Sequence, residues 1–373
     1  MRFYRKKSFY LVLLLAAVLA VYLLHPGHYP VYPASGHYSP AGQTFYNTPP
    51  SVEIDGGGTR RNMWAILFHA ERFRPNAPLP VVKSDWKEFE EAGQSARLVW
   101  FGHSSWAVRM GGKTILVDPV WQEYASPLPV MMKRFQPPPA ALDELPEVDA
   151  VVYSHNHYDH LDEDVVRYYA KRRAAFYVPL GMEVLLQRWG VPAERIVALD
   201  WWQSAQVGGV KLTAVPARHN SARGMYDKNM TLWCGWVLQT PQEKIYYSGD
   251  SSYGDGSHFR TIGAAFGGFD LALIENGQYA QAWYDNHMMP EQTVQAALDV
   301  RTARFMPVHW GAYPLSVHAW DEPVRRSIPL ARKRGLATLT PRLGEVFGIE
   351  SPSGPWWETV GRNDAAKADR HDK

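Results

Sequence analysis

The sequence lacks the features that would place it in several common protein classes. It has one cysteine, Cys234, in 373 residues, so an internal disulfide bond is excluded. The formal net charge of +2 is nearly balanced and gives no indication of nucleic-acid binding. No short-period repeat is present. The length allows one elaborated domain or two small ones, and the lack of disulfides does not fix the compartment.

Charged residues are absent from an apolar run, Phe9–Leu24, which follows a basic cluster at the N-terminus. Two interpretations compete: a cleaved signal peptide, or an uncleaved membrane anchor, for which the run is at the short limit. The small-residue site at Val18–Ala20 is a poor cleavage site. The basic cluster argues against a third alternative, a buried helix of the globular domain. The sequence therefore favours an anchor.

Lysine and arginine are also absent between Lys7 and Arg60, so the positive charge lies on the N-terminal side of the run. By the positive-inside rule, we expect the rest of the chain on the non-cytoplasmic side of a membrane, periplasmic or extracellular. The predicted organisation has four parts: a membrane segment over 1–25, a Pro/Gly/Tyr-rich linker and arm over 26–90, a folded domain over 91–350 and a disordered tail over 351–373.

Short apolar runs recur from Arg97 onward and are interleaved with amphipathic stretches. The short runs predict strands, and the helical periodicity of the other stretches predicts helices. The mixture predicts an α/β fold with two sheets packed face to face and helices outside. The predicted helices cover 163–173, 181–189, 290–300 and 322–334, and the predicted strands cover 113–118, 150–154, 176–180, 196–200, 210–215, 232–238, 244–248, 271–275 and 304–308.

Four candidate metal ligands follow one predicted strand within a few residues: His155, His157, Asp159 and His160. They lie on a strand-to-helix loop, where a rigid scaffold can present side chains to a cleft. His155 and His157 alternate along an extended chain and can face the same way. Adjacent residues cannot easily bind one ion, so Asp159 and His160 can serve a second ion nearby. A purely structural role is disfavoured, because buried imidazoles and carboxylates need partners.

Three further predicted strands each end in one ligand-capable residue: His219, Asp250 and His309. Taken alone, each of these residues is equally well explained by surface or core packing. Together with the histidine-rich loop, they supply seven ligands. That number suits two four- to five-coordinate sites that share one carboxylate and a bridging water.

The pattern His-x-His-x-Asp-His resembles the signature of the metallo-β-lactamase-fold hydrolases. The string His-Asn-His-Tyr-Asp-His-Leu-Asp, with Leu199–Trp202 and Val308–Gly311, is similar to the N-acylphosphatidylethanolamine-hydrolysing phospholipase D-like branch. The resemblance implies a metallo-β-lactamase-type αββα sandwich of two mixed sheets with outer helices. It also implies two zinc ions, with Asp250 bridging them. Under it, one zinc is held by His155, His157 and His219, and the other by Asp159, His160 and His309.

Three residues are candidates for a direct part in the reaction: Asp159, Asp250 and His287. His287 matches a family histidine just before a helix, where the resemblance implies contact with the scissile group or with a phosphate. A place beside the N-terminus of a helix explains it equally well. Asp118 is expected to orient a histidine ligand, with a structural turn as the alternative, and the role of His103 stays open.

The resemblance implies a zinc-dependent phosphodiesterase that releases phosphatidic acid from N-acylphosphatidylethanolamine-like phospholipids. Ser251–Ser252 and Glu275–Tyr279 depart from the family's sequence near the site, so a lactone or a soluble phosphodiester stays open as the substrate. A metal-bearing scaffold is a third alternative, disfavoured because a scaffold needs no bridging carboxylate. The expected partners are a phospholipid or other small phosphodiester and, through the N-terminal segment, a membrane. No nucleic acid is expected, and a dimer is left open.

Apolar side chains are expected around the cleft, where they would contact acyl chains. The candidates are aromatic residues and methionines of two stretches: Trp201, Trp202, Tyr279, Trp283, Tyr284, Met288 and Met289.

Overall fold

The computed structural model describes residues 10, 13 and 16, and then 28–52, 55–93, 95–127, 129, 131–224 and 226–360. Most of the predicted membrane segment lies outside the described residues, as does the end of the predicted disordered tail from residue 361 onward.

The strands and helices are short, and most strands coincide with the apolar runs of the sequence. The strands are β1 Tyr38–Ser39, β2 Thr44–Phe45, β3 Arg97–Trp100, β4 Trp106–Met110, β5 Lys113–Val117, β6 Ala150–Val152, β7 Ala175–Pro179, β8 Ile196–Leu199, β9 Ser204–Val207, β10 Val210–Val215, β11 Gly235–Gln239, β12 Lys244–Tyr247, β13 Leu271–Glu275, β14 Arg304–Val308, β15 Ala337–Thr338 and β16 Val346–Gly348. The α-helices are α1 Gly56–Phe68, α2 Trp86–Glu90, α3 Glu163–Ala170, α4 Glu183–Arg188, α5 Ser257–Phe266, α6 Pro290–Asp299 and α7 Glu322–Lys333.

Two seven-stranded mixed sheets form the centre of the fold, and β1 and β2 form a separate hairpin. The first sheet has the order β16-β3-β4-β5-β6-β7-β8, antiparallel as far as β5 and parallel from β5 to β8. The second has the order β9-β10-β11-β12-β13-β14-β15, antiparallel as far as β12 and parallel beyond it. Strands β10, β12, β13 and β14 therefore run in one direction and end at one edge of the sheet.

The two sheets pack face to face through a continuous apolar core. In β5, Ile115 and Val117 belong to the core between the sheets, whereas Leu116 belongs to the cluster beneath α3 and α4. This division follows from the two-residue period of a strand. Ile262 of α5 and Val294 of α6 pack onto the second sheet from outside. The arrangement is an αββα sandwich, and it confirms the predicted fold class.

The region expected to be a linker and arm contains secondary structure and packs on the domain. Tyr38 and Phe45 of the hairpin lie in a small apolar cluster with Leu232 and Trp233. Ile66 of α1 packs against the short 3-10 turn Gln281–Trp283. The domain boundaries taken from the sequence stay a prediction.

The helices predicted from periodicity are confirmed within a few residues, but the sequence pattern does not predict α1, α2 and α5. Helix α1 begins with three glycines, Gly56–Gly58, which are poor helix formers. Helix α5 begins after Gly256 and ends before Gly267, both in the left-handed conformation. Glycines at both ends of a ten-residue segment give the appearance of a loop.

The predicted location of the protein was wrong. Within the ranges that the structure describes, no helix combines the length and the apolar character needed to cross a bilayer. The membrane anchor, the membrane as a partner and the placement of the domain on the non-cytoplasmic side are therefore withdrawn.

The contact between α5 and α6 gives a test of the packing. A Cβ atom at Gly263 would lie 2.4 Å from the carbonyl oxygen of Asp299 and 2.9 Å from Val300 Cα. Helix propensity alone predicts that Gly263→Ala stabilises the protein by about 0.5–1 kcal/mol. We expect the clash to reverse the sign and to lower the free energy of unfolding by about 1–3 kcal/mol, measured by urea denaturation. The control is Ala264→Ser at the exposed neighbour. Unchanged or increased stability in Gly263→Ala would contradict this packing.

Candidate metal centre

The seven candidate ligands lie at the edges of the two sheets where strands end. His155, His157, Asp159 and His160 follow β6, and one ligand follows each of three strands of the second sheet. His157 and Asp159 are partly exposed, and the other five are buried. The structure therefore brings together all seven residues at the interface of the two sheets.

Three imidazoles form the first group of donors. His155 Nε2 lies 2.9 Å from His157 Nδ1, and His157 Nδ1 lies 3.2 Å from His219 Nε2. Ligand atoms around a tetrahedral zinc with Zn–N distances near 2.0–2.1 Å are about 3.3 Å apart. Both distances are close to this value, and the three ligand atoms all lie within 4.8 Å of one another, so they suit three vertices of a tetrahedral site.

A second group lies beside the first. Asp159 Oδ2 is 3.6 Å from His160 Nε2 and 3.4 Å from His309 Nε2. His160 Nε2 is 3.0 Å from Asp250 Oδ1, and His309 Nε2 is 2.8 Å from Asp250 Oδ2. Two carboxylates and two imidazoles thus converge on one point.

The carboxylate of Asp250 faces both groups. Besides its contacts in the second group, Asp250 Oδ2 lies 3.8 Å from His155 Nε2 and 3.8 Å from His219 Nε2. Each group alone supplies three protein ligands, and the shared carboxylate links them. This is the spatial relation that a bridging ligand requires.

Burial sets the protonation of the first group. It lowers the pKa of His155 and His219 well below the usual range and that of His157 to about 4. These imidazoles are neutral near pH 7 and keep a lone pair for a metal. Burial also raises the pKa of Asp250, but His160 and His309 outweigh it and hold that pKa well below the usual range.

Several buried polar atoms at the centre lie within 3.0 Å of an oppositely charged neighbour but form no hydrogen bond of normal geometry among the described residues. They are His160 Nε2, His309 Nε2 and Asp250 Oδ1. Each unsatisfied atom of this kind costs about 1–3 kcal/mol. A divalent cation would satisfy them, because imidazole nitrogen and carboxylate oxygen are ligands that zinc accepts. The residues present therefore fit a divalent metal centre.

Asp118, the residue directly after β5, orients residues of the centre through its hydrogen bonds. His160 Nδ1 lies 2.8 Å from Asp118 Oδ2, which leaves Nε2 for the metal side. The same oxygen accepts a hydrogen bond from the Tyr247 hydroxyl at 2.6 Å, and Oδ1 accepts one from the Ser154 amide at 2.7 Å. Asp118 thereby fixes both the ring of His160 and the start of the ligand loop.

His103, whose role the sequence left open, lies against Asp159. Its Nε2 is 2.9 Å from Asp159 Oδ2, and burial lowers the pKa of His103 to about 3. Its backbone has a positive φ of 55° and pairs with that of Trp310. In the sequence, the Gly102–His103 pair indicates a turn. The contact between His103 and Asp159 forms only when the chain folds.

The loop that carries His219 is held by the N-terminal region. Asn47 Nδ2 donates to the His219 carbonyl at 2.7 Å, and the His219 amide donates to Asn47 Oδ1 at 3.1 Å. The neighbouring Arg218 forms a buried ion pair with Asp285 at 2.6 Å and donates to the carbonyl of Pro50. The sequence gives no signal for Asn47, because its partner is 172 residues away.

His287 lies at the edge of the centre and is paired with Glu275, to which the sequence assigned no role. His287 Nδ1 is 3.1 Å from Glu275 Oε1, and the Met288 amide donates to Glu275 Oε2 at 3.1 Å. Glu275 is fully buried, and burial raises the pKa of its carboxyl. The sequence pattern that could have identified Glu275 is an acidic residue at the end of an apolar strand.

A cavity of about 350 Å³ opens over the centre. Its floor includes His157, Asp159, Asp250, His287 and His309. Its walls carry apolar side chains from separate parts of the chain: Met63, Ala125, Met132, Trp283 and Leu315.

Of the side chains expected to line an apolar cleft, Trp283 is in this cavity. Trp201 instead stacks on His37 with ring centroids 4.3 Å apart. Met288 is buried in the main core, and Tyr279 stacks on His318. The expectation was wrong for these three residues, because closeness in sequence to a ligand does not fix the direction of a side chain.

Known proteins are similar to this chain in sequence and in fold. The β-lactamase superfamily domain matches residues 113–310. An uncharacterised protein of Mycobacterium tuberculosis is 41% identical over 324 residues, covering 84% of this chain and 85% of that protein. N-acyl-phosphatidylethanolamine-hydrolyzing phospholipase D 1 of Caenorhabditis elegans is 34% identical over 253 residues, covering 64% of this chain and 70% of that enzyme. The structure of a metallo hydrolase from Ignicoccus hospitalis matches with a TM-score of 0.53 at 21% identity, covering 69% of this chain and 100% of that one.

The matched range 113–310 contains all seven candidate ligands. The archaeal structure shows the shared fold, and the two sequence relatives extend the match along most of the domain. The resemblance noted in the sequence is thereby confirmed. This chain belongs to the metallo-β-lactamase-fold hydrolases, in the branch similar to the N-acylphosphatidylethanolamine-hydrolysing phospholipases D.

Proposed function

We propose that this metallo-hydrolase binds two zinc ions and acts as a phospholipase D-type phosphodiesterase on N-acylphosphatidylethanolamine-like phospholipids. The observation that carries the proposal is the position of Asp250, whose carboxylate lies within 3.8 Å of ring nitrogens from both donor groups. One carboxylate between two complete donor sets favours a pair of metal ions over a single ion.

The proposed ligand assignment follows the two groups. His155, His157 and His219 would hold one zinc, and Asp159, His160 and His309 would hold the other. Asp250 would contact both. When bound, such a pair lowers the pKa of a water molecule and neutralises charge on a phosphoryl oxygen. Zinc suits this set better than magnesium, because five of the seven ligands are imidazoles.

The chain's own groups set the geometry of the reaction. Asp159 and Asp250 lie on the cavity floor, where Asp250 would orient the attacking water. The water oxygen gives up a proton and forms a new bond to phosphorus, the bond from phosphorus to the head-group oxygen breaks, and that oxygen takes up a proton. The products are phosphatidic acid and an N-acylethanolamine, and no protein nucleophile is required.

His287 contacts the scissile group in this proposal. It shares the cavity floor with Asp159 and Asp250. Its side chain is 12% exposed, so it remains accessible to a ligand. With Nδ1 held by Glu275, the ring can offer Nε2 to a phosphoryl oxygen.

The lipid substrate is supported by the cavity walls and by the relatives. Met63, Met132, Trp283 and Leu315 offer apolar contact above the polar floor, and methionine adapts to irregular chains. The relative in Caenorhabditis elegans is named as an enzyme that hydrolyses N-acylphosphatidylethanolamine. A phosphodiester at the floor with acyl chains along the walls matches this distribution of polarity.

Metal analysis tests the binuclear site. We expect elemental analysis of the purified protein to find about two zinc ions per chain. Asp250→Asn keeps the shape of the side chain but removes the charge that both ions share, so the metal content falls and activity drops by about 100-fold or more.

The matched control is Asp143→Asn, because Asp143 lines a separate surface groove with Tyr168 and Arg172. This variant is expected to keep both metals and full activity. A fully active preparation that contains no metal would contradict the proposed site.

Product analysis tests the substrate. Purified enzyme incubated with N-acylphosphatidylethanolamine in mixed micelles is expected to release phosphatidic acid and N-acylethanolamine, detected by mass spectrometry. Parallel reactions with a lactone panel and with a water-soluble phosphodiester serve as comparison. Intact lipid alongside rapid hydrolysis of either alternative would show that the lipid assignment is wrong and that a lactonase or soluble phosphodiesterase is the better description.

A further inference from the structure

Glu275 occupies a position like those of the proposed ligands but faces a different group. It ends β13, which lies between β12, the strand before Asp250, and β14, the strand before His309. Its side chain is fully buried. A carboxyl group without access to water needs partners, so its contacts identify its role.

Those contacts run to the loop that precedes α6. Glu275 Oε1 lies 3.1 Å from His287 Nδ1, and Oε2 accepts the Met288 amide at 3.1 Å. His309 Nδ1 is more distant, 4.0 Å from Oε1. The two oxygens therefore hold His287 at two points, by its ring and by the backbone of the next residue.

The contact with Glu275 determines which ring nitrogen of His287 is free to bind a ligand. Because Nδ1 is engaged by the carboxyl group, Nε2 is the nitrogen available to a ligand in the cavity. The ring lies between the two donor groups, with centroids 5.4 Å from His219 and 5.2 Å from His309. Small rotations of such a ring would move Nε2 away from a bound phosphoryl group.

We propose that Glu275 is a positioning residue that acts through His287, holding its ring so that Nε2 donates a hydrogen bond to the scissile phosphoryl group. The role rests on the proposed function of the same site. A proton shared between Oε1 and Nδ1, with a second proton on Nε2, satisfies the buried Glu275 carboxyl group and the His287 ring and leaves a donor for the substrate.

The test compares substitutions at Glu275 that keep or remove its contacts with the His287 ring and the Met288 amide. In Glu275→Gln, the amide oxygen can accept the Met288 amide and the amide nitrogen can donate to His287 Nδ1, so most activity is retained. In Glu275→Leu neither contact is possible, and kcat/KM is expected to fall about 10- to 100-fold with metal content unchanged. Activity of Glu275→Leu equal to that of the native protein would overturn the proposal.

A double-mutant cycle separates positioning from a general structural effect. His287→Ala alone is expected to lower kcat/KM by about 100-fold. Adding Glu275→Leu to His287→Ala is expected to cause no further loss, because the residue through which Glu275 acts is gone. Additive losses, or loss of metal in Glu275→Leu through His309, would overturn the proposal.

The matched control is Thr293→Val. The Thr293 hydroxyl donates to the Glu275 carbonyl at 2.9 Å, so this variant removes a buried hydrogen bond beside Glu275 without touching His287. It is expected to lower stability and to leave kcat/KM unchanged. A fall in kcat/KM as large as that of Glu275→Leu would show that the effect is structural and would overturn the proposal.

A readout without substrate keeps this inference separate from the proposed activity. In ¹⁵N-histidine NMR spectra of the metal-loaded protein, Glu275→Leu is expected to shift the ring nitrogens of His287 and to leave those of His155 unchanged. That result would stand even if another substrate replaced the lipid. Unchanged His287 resonances would overturn the positioning role whatever the enzyme hydrolyses.

Discussion

The burial of the Asp250 carboxylate is the constraint on which the rest of the site depends. A carboxylate removed from water costs several kcal/mol unless opposite charge or hydrogen-bond donors surround it. Asp250 is 3% exposed and lies among four imidazoles, two from each donor group. Gly249 makes its position possible, because a Cβ atom there would lie 2.7 Å from the Cys234 carbonyl and its φ is +56°. The donor groups and the carboxylate are therefore mutually dependent.

The residues that contact the proposed ligands connect the site to other parts of the fold. Asp118 fixes His160 from the first sheet, Asn47 fixes the backbone of His219 from the N-terminal region, and His103 fixes Asp159 from the turn after β3. Each support comes from a different segment of the chain. The N-terminal region therefore contributes to the site through its contacts with the ligand loops, in addition to the Met63 side chain in the cavity wall. Because strand ends are rigid, these few contacts are sufficient to orient several side chains.

The fold and the ligands were more predictable than their surroundings. The group His155 to His160 is local, and His219, Asp250 and His309 each end an apolar strand, so both signals lie within a few residues. The supports are different. Asn47 and His219 are 172 residues apart, and no local pattern encodes their contact. Glu275 was noted only as a departure near the site, because its partner depends on how β13 lies beside α6. Helices α1 and α5 escaped prediction because of their glycines, and α2 because it has only five residues. The cavity walls come from segments that are far apart in the sequence.

The central claim is that one carboxylate links two metal ions. Anomalous diffraction from crystals of the native protein at the zinc absorption edge tests it most directly. Two peaks are expected about 3.5–4 Å apart, one beside His155, His157 and His219 and the other beside Asp159, His160 and His309, with Asp250 in contact with both. A single peak, or two peaks of which only one contacts Asp250, would contradict it.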